Sequence, residues 1–207
     1  MSELQVNKIS PRSGDAITLG DSGDTFTIPA GVTLAGSGSS LTDLSNITLG
    51  TAVASTSGNA IDYTGIPSGT KRITVNVSGL SGSGNSIQIV QLGDAQGFET
   101  SGYVGMAARD GSTDVTGNTF TSNYTNGFRF LGDGSSVTTF SGRLTLELLD
   151  AGAFMWVGTM LTGRTDVYGN WGAGAKSLSA ELTQIRITTV AGNQAFDAGK
   201  VNIQYEG

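Results

Sequence analysis

The chain opens with apolar residues that alternate with polar ones in very short runs. Ile17 and Leu19 flank Thr18, Phe26 and Ile28 flank Thr27, and Val32 and Leu34 flank Thr33. Gly20, Pro29 and Gly36 interrupt the runs. A period of two predicts half-buried strands, but strands this short do not make a sheet that folds alone. The stretch "AGSGSSLTDLSN" (Ala35 to Asn46) then reads as a thinly packed connector. "ITLG" occurs at Ile17–Gly20 and again at Ile47–Gly50, which points to similar local roles.

Past residue 50 the alternation lengthens. Ile73, Val75 and Val77 alternate with polar residues, as do Leu144, Leu146 and Leu148, and then Val201, Ile203 and Tyr205. Ile87 with Ile89 and Ile185 with Ile187 give two more strands. The window nearest to a helix, Leu178 to Ile187, contains Ser179, Thr183 and a β-branched end, so it reads as strand. Glycine-rich turns separate the strands: Ser81–Asn85 as a hairpin connection, "GDG" at Gly132–Gly134 and "AGN" at Ala191–Asn193. The pattern predicts an all-β chain in two parts. Residues 1–49 form a short-strand shaft and attachment segment, and residues 50–207 form a jelly-roll-like β-sandwich.

The first part has too few apolar residues per strand to bury within one chain. Oligomerisation is the usual remedy for a core that is too small. Three intertwined copies would supply the missing partners, with Ile17, Leu19, Phe26, Ile28, Val32 and Leu34 pointing inward; the alternative is a disordered tail, which has no need of strict alternation. The expected assembly is a homotrimer.

Composition narrows the chemistry. The 207 residues contain no cysteine and no histidine, which removes disulfides, thiolate nucleophiles, Ser-His-Asp systems and His-ligated zinc. A net charge of −6, with 11 basic residues spread along the chain, argues against nucleic acid as a partner. The start "MSELQVNKIS" carries Glu3 and no apolar core of a signal, and no stretch approaches the roughly 18 apolar residues of a membrane span. The chain is therefore expected to be made and to stay soluble in a cytoplasm, without inserting in a membrane.

"LQVNKISPRSG" followed by "ITLGDSGDTFTIPAGVTL" resembles an N-terminal segment found on structural proteins of tailed marine bacteriophages. "GIPSGTKRITVNVSGLS", "IVQLGDAQGFETSGY" and "RITTVAGNQAFDAGKVNIQYE" resemble a C-terminal domain of phage tail-fibre and related virion proteins. The resemblance covers most of the chain and carries over no individual functional residue. It implies a virion protein, a trimeric tail fibre or spike. The N-terminus would attach to other virion proteins, and the C-terminal domain would face outward toward a host-surface glycan or protein. The alternatives are a head fibre or capsid decoration protein and, further off, a polysaccharide-cleaving tailspike.

Candidate sites are few, and no catalytic residue, cofactor or metal ligand is assigned. Asp110, Asp114 and Asn118 in "RDGSTDVTGN" lack the spacing and distal Glu of a calcium loop, and turns explain them better. A glycosidase would have to draw on Glu99, Glu147 and Glu181 with Asp150, Asp166 or Asp197. Glu147 and Glu181 fall on polar strand faces. Phe128, Phe130, Phe154 and Trp156 read as core. "GRTDVYGNWGAGAK" (Gly163 to Lys176) reads as a long loop, and here the pattern points to binding. Tyr168 and Trp171 would stack on a partner while Asp166 and Asn170 supply directional hydrogen bonds; the equal alternative is that both aromatics fold back over the sandwich edge or into a trimer seam.

Overall fold

The computed structural model describes residues 47–111, 120–131 and 136–207. The six positions expected in a shared trimer core, Ile17, Leu19, Phe26, Ile28, Val32 and Leu34, lie outside the described residues, as do Asp114, Asn118 and the turn Gly132–Gly134. The chain divides into two units, Met1–Thr42 and Asp43–Gly207. The second is described below.

No helix occurs among the described residues. The first strands are β1 (Ile47–Leu49), β2 (Val53–Ala54), β3 (Ala60–Thr64), β4 (Arg72–Gly82) and β5 (Gln88–Asp94). Next come β6 (Gly97–Phe98), β7 (Val104–Gly111), β8 (Phe120–Tyr124), β9 (Phe128–Arg129) and β10 (Phe140–Asp150). The chain ends with β11 (Met155–Arg164), β12 (Tyr168–Ser177), β13 (Gln184–Thr189) and β14 (Phe196–Glu206). They form a nine-stranded sheet, β1-β14-β4-β10-β11-β12-β7-β8 with β2 also on β14, and a five-stranded sheet, β3-β13-β5-β6 with β9 also on β5. All pairings are antiparallel.

The two-residue period decides which face is buried. Ile73, Val75 and Val77 of β4, Leu144 and Leu146 of β10, and Val201 and Ile203 of β14 all turn inward. They meet Val90 and Leu92 of β5 and Ile185 and Ile187 of β13, so the two sheets enclose one core. Full burial of each such side chain contributes about 1.5–3 kcal/mol. β5 is buried on both faces, with Gln91 Nε2 donating to Asn126 O (2.9 Å) where the chain crosses its outer side.

Beyond β10 the larger sheet continues through β11, β12, β7 and β8. An aromatic group lies under this extension: Tyr103 meets Phe128 edge-on at 5.4 Å between ring centres, and Tyr124 meets Phe128 at 6.1 Å. Glycines make room for these rings. A Cβ at Gly158 would come within 2.8 Å of the Phe128 ring, and one at Gly105 or Gly174 would run into the Tyr124 ring. Burial pushes the Tyr124 hydroxyl pKa up to about 12, so the ring stays neutral. Phe128, Phe130 and Trp156 are core residues as expected, and Phe154 packs partly buried against them.

Four expectations are corrected. β1, assigned to the first segment by its short alternation, pairs with β14, so the sandwich takes in residues 47–49. Ser81–Asn85 is not a hairpin: β4 and β5 lie in different sheets, and the segment arches between them. Residues 178–183 are not strand; the buried Leu178 and Leu182 anchor them as a connection into β13. Gly163–Lys176 is not a loop, because its two ends belong to β11 and β12 and the register holds Gly163 opposite Gly169. Its glycines serve ring packing and strand pairing, which composition alone cannot separate from loop chemistry.

Gly174→Ala is expected to destabilise the fold by about 1–3 kcal/mol through overpacking against Tyr124 and the Val104 carbonyl. Gly163→Ala, whose added Cβ meets nothing within 4 Å, should stay within about 0.5 kcal/mol of the parent. Urea unfolding of the two variants checks the contrast.

Candidate functional site

The hairpin of β11 and β12 sorts the expected binding residues by strand parity. Asp166 lies in the turn and takes a forked hydrogen bond from Arg164, with Nε at 3.0 Å and a second guanidinium nitrogen at 2.6 Å. The Arg164 side chain is only 3% exposed. The Tyr168 ring lies near two guanidinium groups, Arg109 at 4.3 Å and Arg164 at 5.4 Å from the ring centre. Asn170 is fully buried, one step further along the same side. Trp171 is 47% exposed, on the opposite side of the sheet. The four residues therefore do not share one surface, and the joint stacking and hydrogen-bonding role read from the sequence is corrected. A strand alternates its side chains, so neighbours such as Asn170 and Trp171 point to opposite faces.

On the outer face, Trp171 belongs to a different group. It lies directly opposite Leu161, Leu161 opposite Arg143, and Arg143 opposite Asn76. These residues form a line across β12, β11, β10 and β4. A groove of about 560 Å³ runs along part of it, lined by Asn76, Arg143, Leu161 and the segments around Gly142 and Gly163. Leu161 is 65% exposed. Thr74, Thr145 and Thr159 form the adjacent row in the same register.

Charge on this face is unevenly neutralised. Arg72 sits between Glu147 (2.8 Å) and Glu206 (3.2 Å), and the hydrogen bond to Glu147, then that to Glu206, raises its pKa. Arg143, in contrast, has no carboxylate partner among the described residues. Sequence reasoning missed Asn76 and Arg143. The alternation around Arg143 was visible, but its position beside Leu161 depends on pairing.

A second polar cluster lies where β12 ends. Lys176, nearly buried, forms an ion pair with Glu99, and the Ser179 backbone N–H donates to the same carboxylate at 2.7 Å. The Ser179 hydroxyl lies 2.7 Å from an Asp94 oxygen and 2.9 Å from a Glu99 oxygen. The Tyr103 hydroxyl donates to the Glu99 carbonyl at 3.0 Å and accepts the Leu92 N–H at 2.7 Å. Burial alone would raise Glu99, but the Lys176 and Ser179 hydrogen bonds outweigh it and hold the carboxyl below its usual range. Asp94 is held down chiefly by Ser179, then by the Gln96 N–H.

The carboxylates considered for glycoside cleavage are tied up in the same way. Glu147 pairs with Arg72, Asp197 accepts the Ser81 hydroxyl, and Glu181 accepts the Gly69 N–H (2.8 Å) and the Ser68 hydroxyl. Those contacts, the Gly69 N–H first, lower Glu181. Glu99, Asp94 and Glu181 are thus all moved away from the raised pKa that a general acid needs. The arrangement fits tethering of chain segments, and the outer-face row fits binding.

No family model, curated protein or solved structure matches the chain.

Asp94 and Glu99 hold protons less readily in the folded chain than in the unfolded one. Their stabilisation is complete above the ordinary carboxylate values of about 4 and drains away as pH falls through the lower folded values. Glu99→Gln is expected to cost up to about 3 kcal/mol at neutral pH, because it leaves the Lys176 ammonium buried without its counter-charge. It should also lose less stability than the parent between about pH 6 and pH 3. Urea melts across that interval test both parts, and an undiminished acid sensitivity would assign the effect elsewhere.

Proposed function

We propose that the chain is a non-enzymatic virion structural protein of a tailed bacteriophage, a homotrimeric tail fibre or spike. Residues 1–46 attach it to the particle, and the sandwich faces outward. The observation that carries this reading is β1. Ile47 and Leu49 are 52% and 67% exposed on that edge strand, directly after the segment whose own apolar runs are too short to bury alone. Exposed apolar side chains on an edge strand are a liability that an assembly removes. The repeated "ITLG" gives the two regions the same need for partner chains.

The strand order supports the same reading. β2-β14-β4-β10 facing β3-β13-β5-β6 is the order of a jelly roll, with β11, β12, β7 and β8 added to one sheet. Such a sandwich is a rigid platform on which binding surfaces are built. In the sequence resemblance, domains of this kind stand at the outer end of phage fibres.

Light scattering of the full-length protein at micromolar concentration should give three times the chain mass. The double variant Ile47→Glu/Leu49→Glu should weaken that association by at least about tenfold, given about 1.5–3 kcal/mol per buried aliphatic side chain, while its thermal melt persists. A full-length monomer would overturn the trimer. Gold-labelled antibody on whole particles should mark the tail; label on the head would favour a head fibre or decoration protein, and unlabelled particles would end the virion reading.

A further inference from the structure

We propose that the outer face of the larger sheet binds an anionic polysaccharide, laid across the strands along the row Asn76, Arg143, Leu161 and Trp171. These residues sit directly opposite one another on four adjacent strands. With strands about 4.8 Å apart, the row is about 14 Å long, enough for several consecutive sugar rings rather than one. The groove beside it is shallow and open, unlike the enclosing pockets that bury most of a small ligand. A chain that enters at one end and leaves at the other suits that shape.

The side chains specify the ligand chemistry. The half-exposed Trp171 indole offers a flat apolar face on which the C–H side of a sugar ring packs. Asn76 brings an amide that both donates and accepts, beside the Thr74 and Thr145 hydroxyls. Arg143 adds a guanidinium that no carboxylate of the described residues neutralises, in a chain of net charge −6. A planar guanidinium recognises a carboxylate or a sulfate by paired hydrogen bonds. One isolated cation falls far short of the basic stripe that a nucleic-acid backbone requires.

The backbone keeps the groove floor clear. β10 bulges against β4 between Phe140 and Gly142, and Gly142 takes a φ of 151° there. At Gly163 a Cβ would meet nothing within 4 Å, so the space over the strand is open. That opening also supplies a clean perturbation, since a long side chain at position 163 starts from open space and extends into the groove.

The inference rests on the proposed outward role of the sandwich only for the natural source of the polysaccharide. Binding is measured on purified full-length protein, whereas the virion assignment is read on particles, so either can fail alone. Affinity electrophoresis through gels containing alginate, dextran sulfate or neutral dextran tests it. Alginate presents carboxylates and dextran sulfate presents sulfates, so those two gels separate the two sources of negative charge. Retardation is expected in at least one anionic gel and none in dextran. Arg143→Gln, Trp171→Ala and Gly163→Gln should each weaken retardation by at least about tenfold, with the thermal melt of Gly163→Gln unchanged. Lys71→Gln, outside the row, should retain full binding. If Trp171→Ala does not fold, Gly163→Gln and Arg143→Gln decide the matter. The proposal is overturned by absent retardation in both anionic gels, by equal retardation in dextran, by binding that the three row variants leave unchanged, or by equal loss in Lys71→Gln, which would indicate diffuse charge. It is likewise overturned if Gly163→Gln lowers the oligomeric state in light scattering, because the row would then be a contact between copies.

Discussion

The close approach of aromatic rings to bare backbone is the contact on which the wide sheet depends. The smaller sheet has five strands against nine, and under the extension of the larger one it offers only the two-residue β9. Phe128 of β9, Tyr124 of β8 and Tyr103 fill the space there. Tyr124 and Phe128 can lie close only because Gly105 and Gly174 present no side chain to the first ring and Gly158 presents none to the second. A ring pressed against a peptide plane brings its dispersion contacts without a cavity, and interiors tolerate neither gaps nor surplus atoms. Because this packing holds β11, β12 and β7 in continuous register, side chains on the far face inherit a fixed spacing.

Electrostatics follow a similar division of labour. Several cations have a dedicated carboxylate: Arg72 holds Glu147 at 2.8 Å, Arg186 holds Asp62 at 2.7 Å, Arg164 holds Asp166, and Lys176 holds Glu99. The Lys176 pair also reaches the aromatic layer, with its ammonium 5.4 Å from the centre of the Tyr103 ring. Polar tethers and ring packing thus reinforce each other at the end of β12, where the chain leaves the larger sheet for the smaller. Arg143, like Lys71 and Lys200, lies outside the ion pairs of the described residues, and what distinguishes it is its place opposite Leu161 on the groove.

Much of the sandwich is legible in the sequence, and the reason is local. β4, β10, β13 and β14 show their buried faces through side chains two residues apart, and pairing partners on either edge preserve that alternation. The hairpin from Gly163 to Lys176 was hidden because glycine has two unrelated uses. It frees a turn, and it also admits a neighbour's ring; only the position of Tyr124 tells which applies at Gly174. The half-buried pair of Glu99 and Lys176 joins residues 77 positions apart, with nothing in either stretch to announce the other. The groove row is hidden for the same reason: each member looks like an ordinary outward residue until four strands are set side by side.

Strand parity in the hairpin has a consequence for how this protein can change over generations. Positions that face inward along β11 and β12 are locked by rings, glycines and buried polar groups, so few replacements there leave a folded chain. Positions that face outward, Leu161 and Trp171 among them, stand largely in solvent on the other side of the sheet. Variation can therefore accumulate on one side of a strand while the other side stands still. A population could alter the chemistry of this surface one residue at a time, without passing through an unstable intermediate.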